Sequence, residues 1–503
     1  MQATVDFLNG IIWSPALLAL ALGAGIFFSF QTRFVQVRLF GEMVRLLFTG
    51  KSSEKGISTF QALAVSLSGR VGTGNIAGVA AAIGFGGPSA VFWMWVVAFL
   101  GASTAYVESA LGQIYKEEDE GQYRGGPAYF IEKALGQKWY AWLFAITTII
   151  ATGLLLPGVQ SNSISSAAEV AFGSEALVDT FFGVISVTKL VTAGGVVVVL
   201  GIIIFGGVKR IAHFTQIVVP FMALGYIVTA CVIIGMNITR LPDVIALILS
   251  DIFSAQAGFG AAIGWGVRRG IYSNEAGQGT GPHAAAAAEV AHPAQQGLVQ
   301  AFSVYIDTLF VCSATAFMIL ITGAYNVVSP EGVFIIQNVP AELEPNSPAF
   351  TQYAVDSIFT GVGKPFVAIA LFFFAFTTLL AYYYIAETNV AYIRRSIKIP
   401  GMMFVLKLAL MASVFYGAIR TANLAWGLGD IGVGLMAWLN IIAILIIFFV
   451  SKPALKALKD YELQRKQGVS HYTFDAEKLG IKNADFWQNK IARGKSKPND
   501  PVS

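Results

Sequence analysis

Ser68-Gly69-Arg70-Val71-Gly72-Thr73-Gly74-Asn75-Ile76-Ala77-Gly78 lies inside an otherwise apolar run from 60 to 84. The run is long enough to cross a bilayer, whose hydrocarbon core of about 30 Å takes about 20 helical residues. A freed backbone group is costly in hydrocarbon, so a spanning helix with this sequence breaks only where protein, water or a ligand covers the break. A second glycine-rich stretch, Ala257-Gly258-Phe259-Gly260-Ala261-Ala262-Ile263-Gly264-Trp265-Gly266, interrupts the apolar run 243 to 270. When 60–84 is the first helix of a ten-helix core, that run is the sixth. Interrupted helices at such matching positions are what two inverted five-helix repeats produce. A half-helix that starts at a break offers N–H groups and a positive dipole end to a carboxylate, and the carbonyls on the other side suit a small cation.

Composition agrees with a chain made of spans. Of 503 residues 55% are hydrophobic and 12% charged, against about 25% charged in a soluble domain, and the mean hydropathy is +0.66. Disorder, a collagen-like chain, a disulfide scaffold and a basic nucleic-acid-binding face are all excluded by these figures. The spacing predicts an all-α polytopic membrane protein with eleven transmembrane helices at 11–30, 60–84, 88–115, 138–165, 190–206, 214–236, 243–270, 297–323, 363–391, 401–421 and 422–450. The leader before the first run lacks the basic start of a signal peptide and is read as part of the mature chain. Lys and Arg gather in alternate loops, at Arg33 to Lys55, Lys209–Arg210, Arg268–Arg269 and Arg394–Lys398, which places the N-terminus outside and the C-terminus in the cytoplasm. The expected division is 1–59 (extra helix and loop), 60–236 and 237–450 (five helices each), and 451–503, a solvated and partly disordered tail.

Charges inside spans are costly and tend to serve function. Arg70 and Asp307 lie at similar depth and are expected to pair, directly or through a cation or water, either as a coupling pair or as a structural pin. Glu108 and Glu387 are expected at the cytoplasmic rim. Thr377 and Thr378 are adjacent hydroxyls at mid-depth, which either bond back to their own helix or offer oxygen to a cation. Gln160, Asn162 and Ser163 close the fourth span as a cap or as amides reaching a site. Trp265, between two glycines, reads as a pocket wall. Glu275, beside Arg268 and Arg269, reads as an inner gate or a capped loop. Packing through small residues accounts for Gly74 and Gly78 but not for Thr73 and Asn75. Cys231 and Cys312 read as small hydrophobes, and His213, His283, His292 and His471 fall in predicted loops or the tail. The glycines at 72, 74 and 78 follow no strand and so do not form a dinucleotide loop, and no hydrolase spacing of Ser, Cys or His appears, so no enzyme activity is expected.

The stretches SLSGRVGTGNIAGVAAAIGFGGPSAVFWMWVVAFLGASTAYVESALGQIY, GQYRGGPAYFIEKALG, GIYSNEAGQGTGPHAAAA and HPAQQGLVQAFSVYIDTLFVCSATAF resemble the alanine/glycine:cation symporters from about Val35 to the start of the tail. The resemblance implies a LeuT-type core of five-plus-five inverted repeats, preceded by one extra helix, in the inner membrane. It further implies sodium-coupled uptake of a small neutral amino acid, alanine or glycine and in some members the D-isomer, with Na+ as the co-transported ion, no organic cofactor, and the substrate and the lipid bilayer, but no nucleic acid, as partners. Carried over by position, Thr73, Gly74 and Asn75 would hold the carboxylate, and Gln160, Asn162, Phe259 and Trp265 would line the amino and side-chain end. Ser68, Val71, Phe374, Thr377 and Thr378 would form a sodium site. Many members carry a small polar residue where this chain has Arg70; a fixed positive charge there competes with sodium unless Asp307 neutralises it, and proton coupling is the alternative.

Overall fold

The computed structural model describes residues 2–49, 53, 55–173, 176–250, 252 and 259–495. Helices α1 (Gln2–Ile12), α2 (Pro15–Gln31) and α3 (Phe40–Leu47) precede a first interrupted helix, α4 (Thr59–Arg70) and α5 (Val79–Gly86). There follow α6 (Ala90–Ile114), α7 (Pro127–Leu135), α8 (Lys138–Phe172), α9 (Val187–Ile204), α10 (Gly207–Met236) and α11 (Leu241–Ser250). A second interrupted helix comprises α12 (Phe259–Asn274) and α13 (Gly281–Ala287). The remainder is α14 (Pro293–Thr322), α15 (Ala349–Asp356), α16 (Gly363–Arg394), α17 (Met402–Ala418), α18 (Ala422–Ser451), α19 (Pro453–Lys466) and α20 (Asp485–Lys495). Three short antiparallel hairpins decorate the loops.

Among the described residues seven helices are long and apolar enough to cross a membrane, and α1 with α2, bent by 43°, makes an eighth. The predicted eleven therefore include three runs that fail that test individually: the two interrupted helices and the 17-residue α17. Burial sorts the long ones. In α14 and α16, 78% and 72% of the apolar window is buried, against 28% in α10. The first two thus form the core, and the last gives most of its surface to lipid.

Local sequence fixes the starts of the central elements. Ser58 and Gln61 cap α4 reciprocally, and His292 with Gln295 does the same for α14. The predicted first span divides at Trp13-Ser14, before Pro15 at the first position of α2. The fourth does not end at 165 but runs to Phe172, so Gln160 lies well inside a helix.

Two expectations are overturned. The run 243–270 is not one span: α11 ends at Ser250 and a new helix opens at Phe259. Nor is that helix broken between Phe259 and Gly266, because glycine and alanine there continue it; Ala257 and Gly258 lie outside the described residues. The break falls at Glu275-Ala276-Gly277-Gln278-Gly279-Thr280, where Glu275, Gly277 and Gly279 take φ of 57°, 85° and 82°. Two glycines in that left-handed region supply a turn that few other residues tolerate.

The tail packs against the bundle as far as Lys490, whose ammonium donates to Glu289 at 2.9 Å, rather than standing free in solution. Tyr461 donates to Glu42 of α3, and Arg38 pairs with Glu462 at 2.7 Å. Trp487 Nε1 donates to the Gln113 carbonyl at 2.9 Å. The buried Lys116 ammonium donates to the Ala288 carbonyl at 2.8 Å and lies 4.3 Å and 4.5 Å from the rings of Tyr123 and Phe486. Such cation–π contacts let a lysine be buried without a carboxylate partner.

Candidate functional site

The two interrupted helices meet at their breaks. A side chain at Gly74 would lie 3.1 Å from Ser273 Cα and 3.2 Å from the Tyr272 ring, so only glycine lets the two backbones approach this closely. From the first break the Thr73 N–H donates to Gln160 Oε1 of α8 at 3.0 Å. The Tyr272 and Tyr382 hydroxyls lie beside the same amide. Asn75 turns its oxygen inward to accept from the Gly72 N–H at 2.8 Å, which fixes the turn, and its Nδ2 donates to Asp307 Oδ1 at 2.7 Å. Ser273 Oγ donates to the same carboxylate at 2.9 Å, and Thr308 Oγ1 at 2.7 Å. Asp307 is wholly buried and so gathers donors from both broken helices.

Thr378 Oγ1 donates to the Ser68 carbonyl at 2.7 Å and to the Phe374 carbonyl at 3.0 Å, which brings α16 against the end of α4. Thr377 faces elsewhere: its hydroxyl bonds back to the Phe373 and Phe374 carbonyls and lies 3.9 Å from Met222 Sδ of α10. Of the five residues read as sodium ligands, Ser68, Phe374 and Thr378 thus converge. Val71 is buried at the break beside them, and Thr377 is on the other side of its helix.

Asn162 does not reach the breaks. Its amide donates to the Gly417 and Arg420 carbonyls at 3.1 and 2.7 Å and caps α17. Phe259 opens α12, and its side chain lies outside the described residues. Trp265 stacks on Phe85 at 4.6 Å and lines a cavity of about 460 Å³ between α1, α5, α12 and α18.

The predicted pairs are not formed. Arg70 is buried but joins no carboxylate within ion-pair distance among the described residues; it donates to the Gln300 carbonyl at 3.0 Å and to Ser303 Oγ. Glu275, Glu108 and Asp307 are its electrostatic neighbours. Arg268 does not meet Glu275 either. It sits about two helical turns before Glu275 on α12, at 2.6 Å from Asp430 Oδ2, which Arg269 reaches at 2.5 Å. Glu275 accepts from Thr280 Oγ1 at 2.9 Å within its own break, and its Oε1 has no partner.

Glu108 was expected at the rim and is instead buried at the second break. It accepts from the Gly277 and Gly279 N–H groups at 3.2 Å each and from Asn440 at 2.7 Å, so a carboxylate of α6 satisfies the unwound backbone. Glu387 is half-buried and lies 3.8 Å from Arg124. His283 is not in a loop but buried in α13, beside Asn389.

Several residues of this arrangement escaped the sequence reading. Asp430 is an acid inside the run 422–450, and depth alone could have flagged it. Trp426 and Tyr272, with rings 4.8 Å apart, and Arg269, 4.6 Å from Trp426, stack as a layer between the cavity and the breaks; nothing in their spacing announced it. Buried polar atoms with no partner cluster here: Thr73 Oγ1, Trp426 Nε1 and Arg269 Nη1. Such groups are costly unless something polar meets them during function.

A helical bundle whose two broken helices face each other at its centre, with a cavity on one side and a stacked lid between, defines a secondary membrane transporter. The model of the sodium:alanine symporter family matches residues 1–476, and the chain belongs to that family. The putative sodium/proton-dependent alanine carrier protein YrbD of Bacillus subtilis is 58% identical over 97% of this chain and 98% of its own length. The sodium/proton-dependent alanine carrier protein of Bacillus sp. strain PS3 is 52% identical over 90% of this chain and 99% of its own. The crystal structure of MhsT in complex with L-phenylalanine shares the LeuT-type fold at a TM-score of 0.52, with 16% identity over 79% of this chain and all of that one.

Proposed function

We propose that the protein carries alanine or glycine into the cell across the inner membrane together with sodium, by alternating access. The observation that carries this reading is the meeting of the two breaks, where Gln160 takes the Thr73 N–H and Asp307 takes Asn75 and Ser273. Unwound backbone at membrane depth is tolerated where it is covered by protein or lines a site. A zwitterion suits it. The N–H groups around Thr73 and Gly74, with Asn75, take the carboxylate, which displaces Gln160 Oε1 from the Thr73 N–H and leaves that amide to face the ammonium end; Trp265 and the aromatic layer exclude large side chains.

Sodium is placed at the Ser68 and Phe374 carbonyls with the Thr378 hydroxyl, with Val71 contributing its carbonyl, as hard oxygen ligands. Asp307 adds a negative charge nearby. The architecture is read as eleven spans, counting α1–α2, both interrupted helices and α17, with repeats at 60–236 and 237–450. Basic residues in the loops on the tail side put that side in the cytoplasm and α1 outside. Arg268 and Arg269, expected from sequence among the cytoplasmic basic residues, instead lie within α12 on the cavity walled by α1, so in this reading their cluster with Asp430 closes the path from the outside, and α13 with the tail closes it from the inside.

Proton coupling is the second reading. It is favoured by the relatives' names and by Glu275, which is buried with one unpartnered oxygen beside Arg70, Glu108 and Asp307. Equilibrium binding of alanine in detergent tests the main reading. Sodium should raise alanine affinity and alanine should raise sodium affinity by the same factor, as linkage requires. Alanine affinity that is unchanged by sodium and rises with acid would replace sodium by the proton.

A further inference from the structure

The extra helix α1 is not a passive addition to the bundle. It lies along α18, with Val5 filling the space over Gly427 and Ile12 that over Gly434. Asn9 Nδ2 donates to the Gly427 carbonyl at 2.8 Å, and Trp438 Nε1 donates to the Ile12 carbonyl at 3.0 Å. Gln2, Asp6, Asn9, Gly10 and Trp13 form one wall of the cavity above the stacked layer. At the bend after α1, Trp13 touches both members of the ion pair that lines the inner end of this cavity. Its Nε1 donates to the backbone carbonyl of Asp430 at 2.9 Å, and its ring lies 5.2 Å from the Arg268 guanidinium. Trp265 lies 5.3 Å from the same guanidinium.

Charge explains why an indole belongs there. Two guanidinium groups share one carboxylate oxygen, Oδ2, while Oδ1 of Asp430 and Nε of Arg268 have no partner. The cluster carries one positive charge in excess, and no second carboxylate is within ion-pair distance of Arg268 among the described residues. Two aromatic faces supply negative potential in place of a second counter-ion. We infer that Trp13 is a positioning residue of the outer gate: α1 holds Arg268 on Asp430, and the gate opens only when the guanidinium leaves the Trp13 face. This rests on the transport reading above, in which the Arg268–Asp430 cluster is the outer closure.

The test uses the full chain in proteoliposomes, with Cys231→Ser removing the exposed thiol and Gly78→Cys placing a thiol one turn inward of the cavity wall, where its Cβ would lie 3.5 Å from Trp426 and 3.9 Å from Arg269, behind the gate. The rate of modification by the impermeant sulfonatoethyl methanethiosulfonate reports how often the gate is open. A cation–π contact and one hydrogen bond together correspond to about tenfold in the open-to-closed equilibrium. Trp13→Ala should therefore speed labelling about tenfold, and Trp13→Phe, which keeps a ring but loses the donor, by a smaller factor. A cysteine at Ile185, buried at the 177–186 hairpin and away from the gate, should keep its slow parental rate, whereas a general loosening of the fold would speed it. Asp430→Asn tests the closure itself. Faster labelling in Asp430→Asn with parental rates in both Trp13 variants overturns the inference and leaves the transport reading intact. Parental rates in all three overturn the gate and the inference with it. Should Trp13→Ala fail to accumulate, a parental rate in Trp13→Phe alone overturns the role of Trp13.

Discussion

Asn75 Nδ2 donates to Asp307 Oδ1 at 2.7 Å, which ties the first helix break to a carboxylate on α14 in the middle of the bundle. The same carboxylate accepts from Ser273, next to the second break, so one acid senses both interrupted helices. A cation or substrate that shifts either break acts on Asp307, and this gives coupling a physical route.

Asp307→Asn keeps the shape and removes the charge. Hydrogen bonds to a charged group contribute about 1.5–3 kcal/mol, so the half-saturating sodium concentration for alanine uptake should rise by about tenfold or more while expression is retained. Unchanged sodium dependence in this variant would detach Asp307 from the ion.

Thr378 and Thr377 should behave differently although adjacent. Thr378→Val leaves the Ser68 carbonyl without its donor, at a cost of about 1–3 kcal/mol, and should weaken sodium-dependent uptake strongly. Thr377→Val, at a hydroxyl bonded only within its own helix apart from the distant Met222 sulfur, should change uptake little. Sodium titrations of the two variants side by side decide it.

Glu108→Ala would leave the Gly277 and Gly279 N–H groups and the Asn440 amide without their acceptor. An unsatisfied buried group costs about 1–3 kcal/mol, so the thermal midpoint in detergent should fall by several degrees. A midpoint equal to that of the parent would mean the second break is held by something else.

The docked tail should loosen in acid. Burial holds His292 below its usual value near 6.5, although its hydrogen bond from Nε2 to Asp460 at 3.2 Å works in the other direction. A histidine whose folded pKa is depressed stabilises the docked form fully above 6.5 and loses that contribution as pH falls below it. Asp460 is pushed up by burial but held below its usual 3.8 by His292 and its neighbours, so its contribution persists until stronger acid. Hydrogen exchange of α19, corrected for intrinsic rates, should rise as pH is lowered from above 6.5 to below it. His292→Gln should flatten that rise.

Much of the fold could be read directly. The apolar runs at 88–115, 190–206 and 363–391 became helices with nearly those bounds, because twenty apolar residues in lipid have few alternatives. The first break was legible from Gly72, Thr73 and Asn75, which do not suit a lipid-facing helix. The second was misplaced because glycine density alone was read. Phe259 to Gly266 is glycine-rich yet helical: Gly266 serves close packing, since a side chain there would strike the Ala90 carbonyl, whereas a side chain at Gly264 would meet open space. The true break at 275–280 has fewer glycines, but two of them need left-handed φ, and conformation does not show in composition.

Partners across the bundle were harder. Equal depth suggested Arg70 with Asp307, but depth fixes only one coordinate, and each side chain found nearer neutral donors and acceptors. The link from Arg268 to Asp430 spans 162 positions and depends on how α12 and α18 face each other, which periodicity does not specify. Asn162 shares a helix with Gln160 but points to a different neighbour, since residues two apart in a helix do not face the same way.

Uptake of radiolabelled alanine into proteoliposomes, under an imposed inward sodium gradient, an imposed proton gradient or neither, tests cation-coupled symport most directly. The account predicts accumulation that requires the sodium gradient, is blocked by excess glycine and is untouched by leucine. Accumulation driven by the proton gradient without sodium would contradict the sodium assignment, and equilibration without accumulation under every gradient would contradict coupled symport itself.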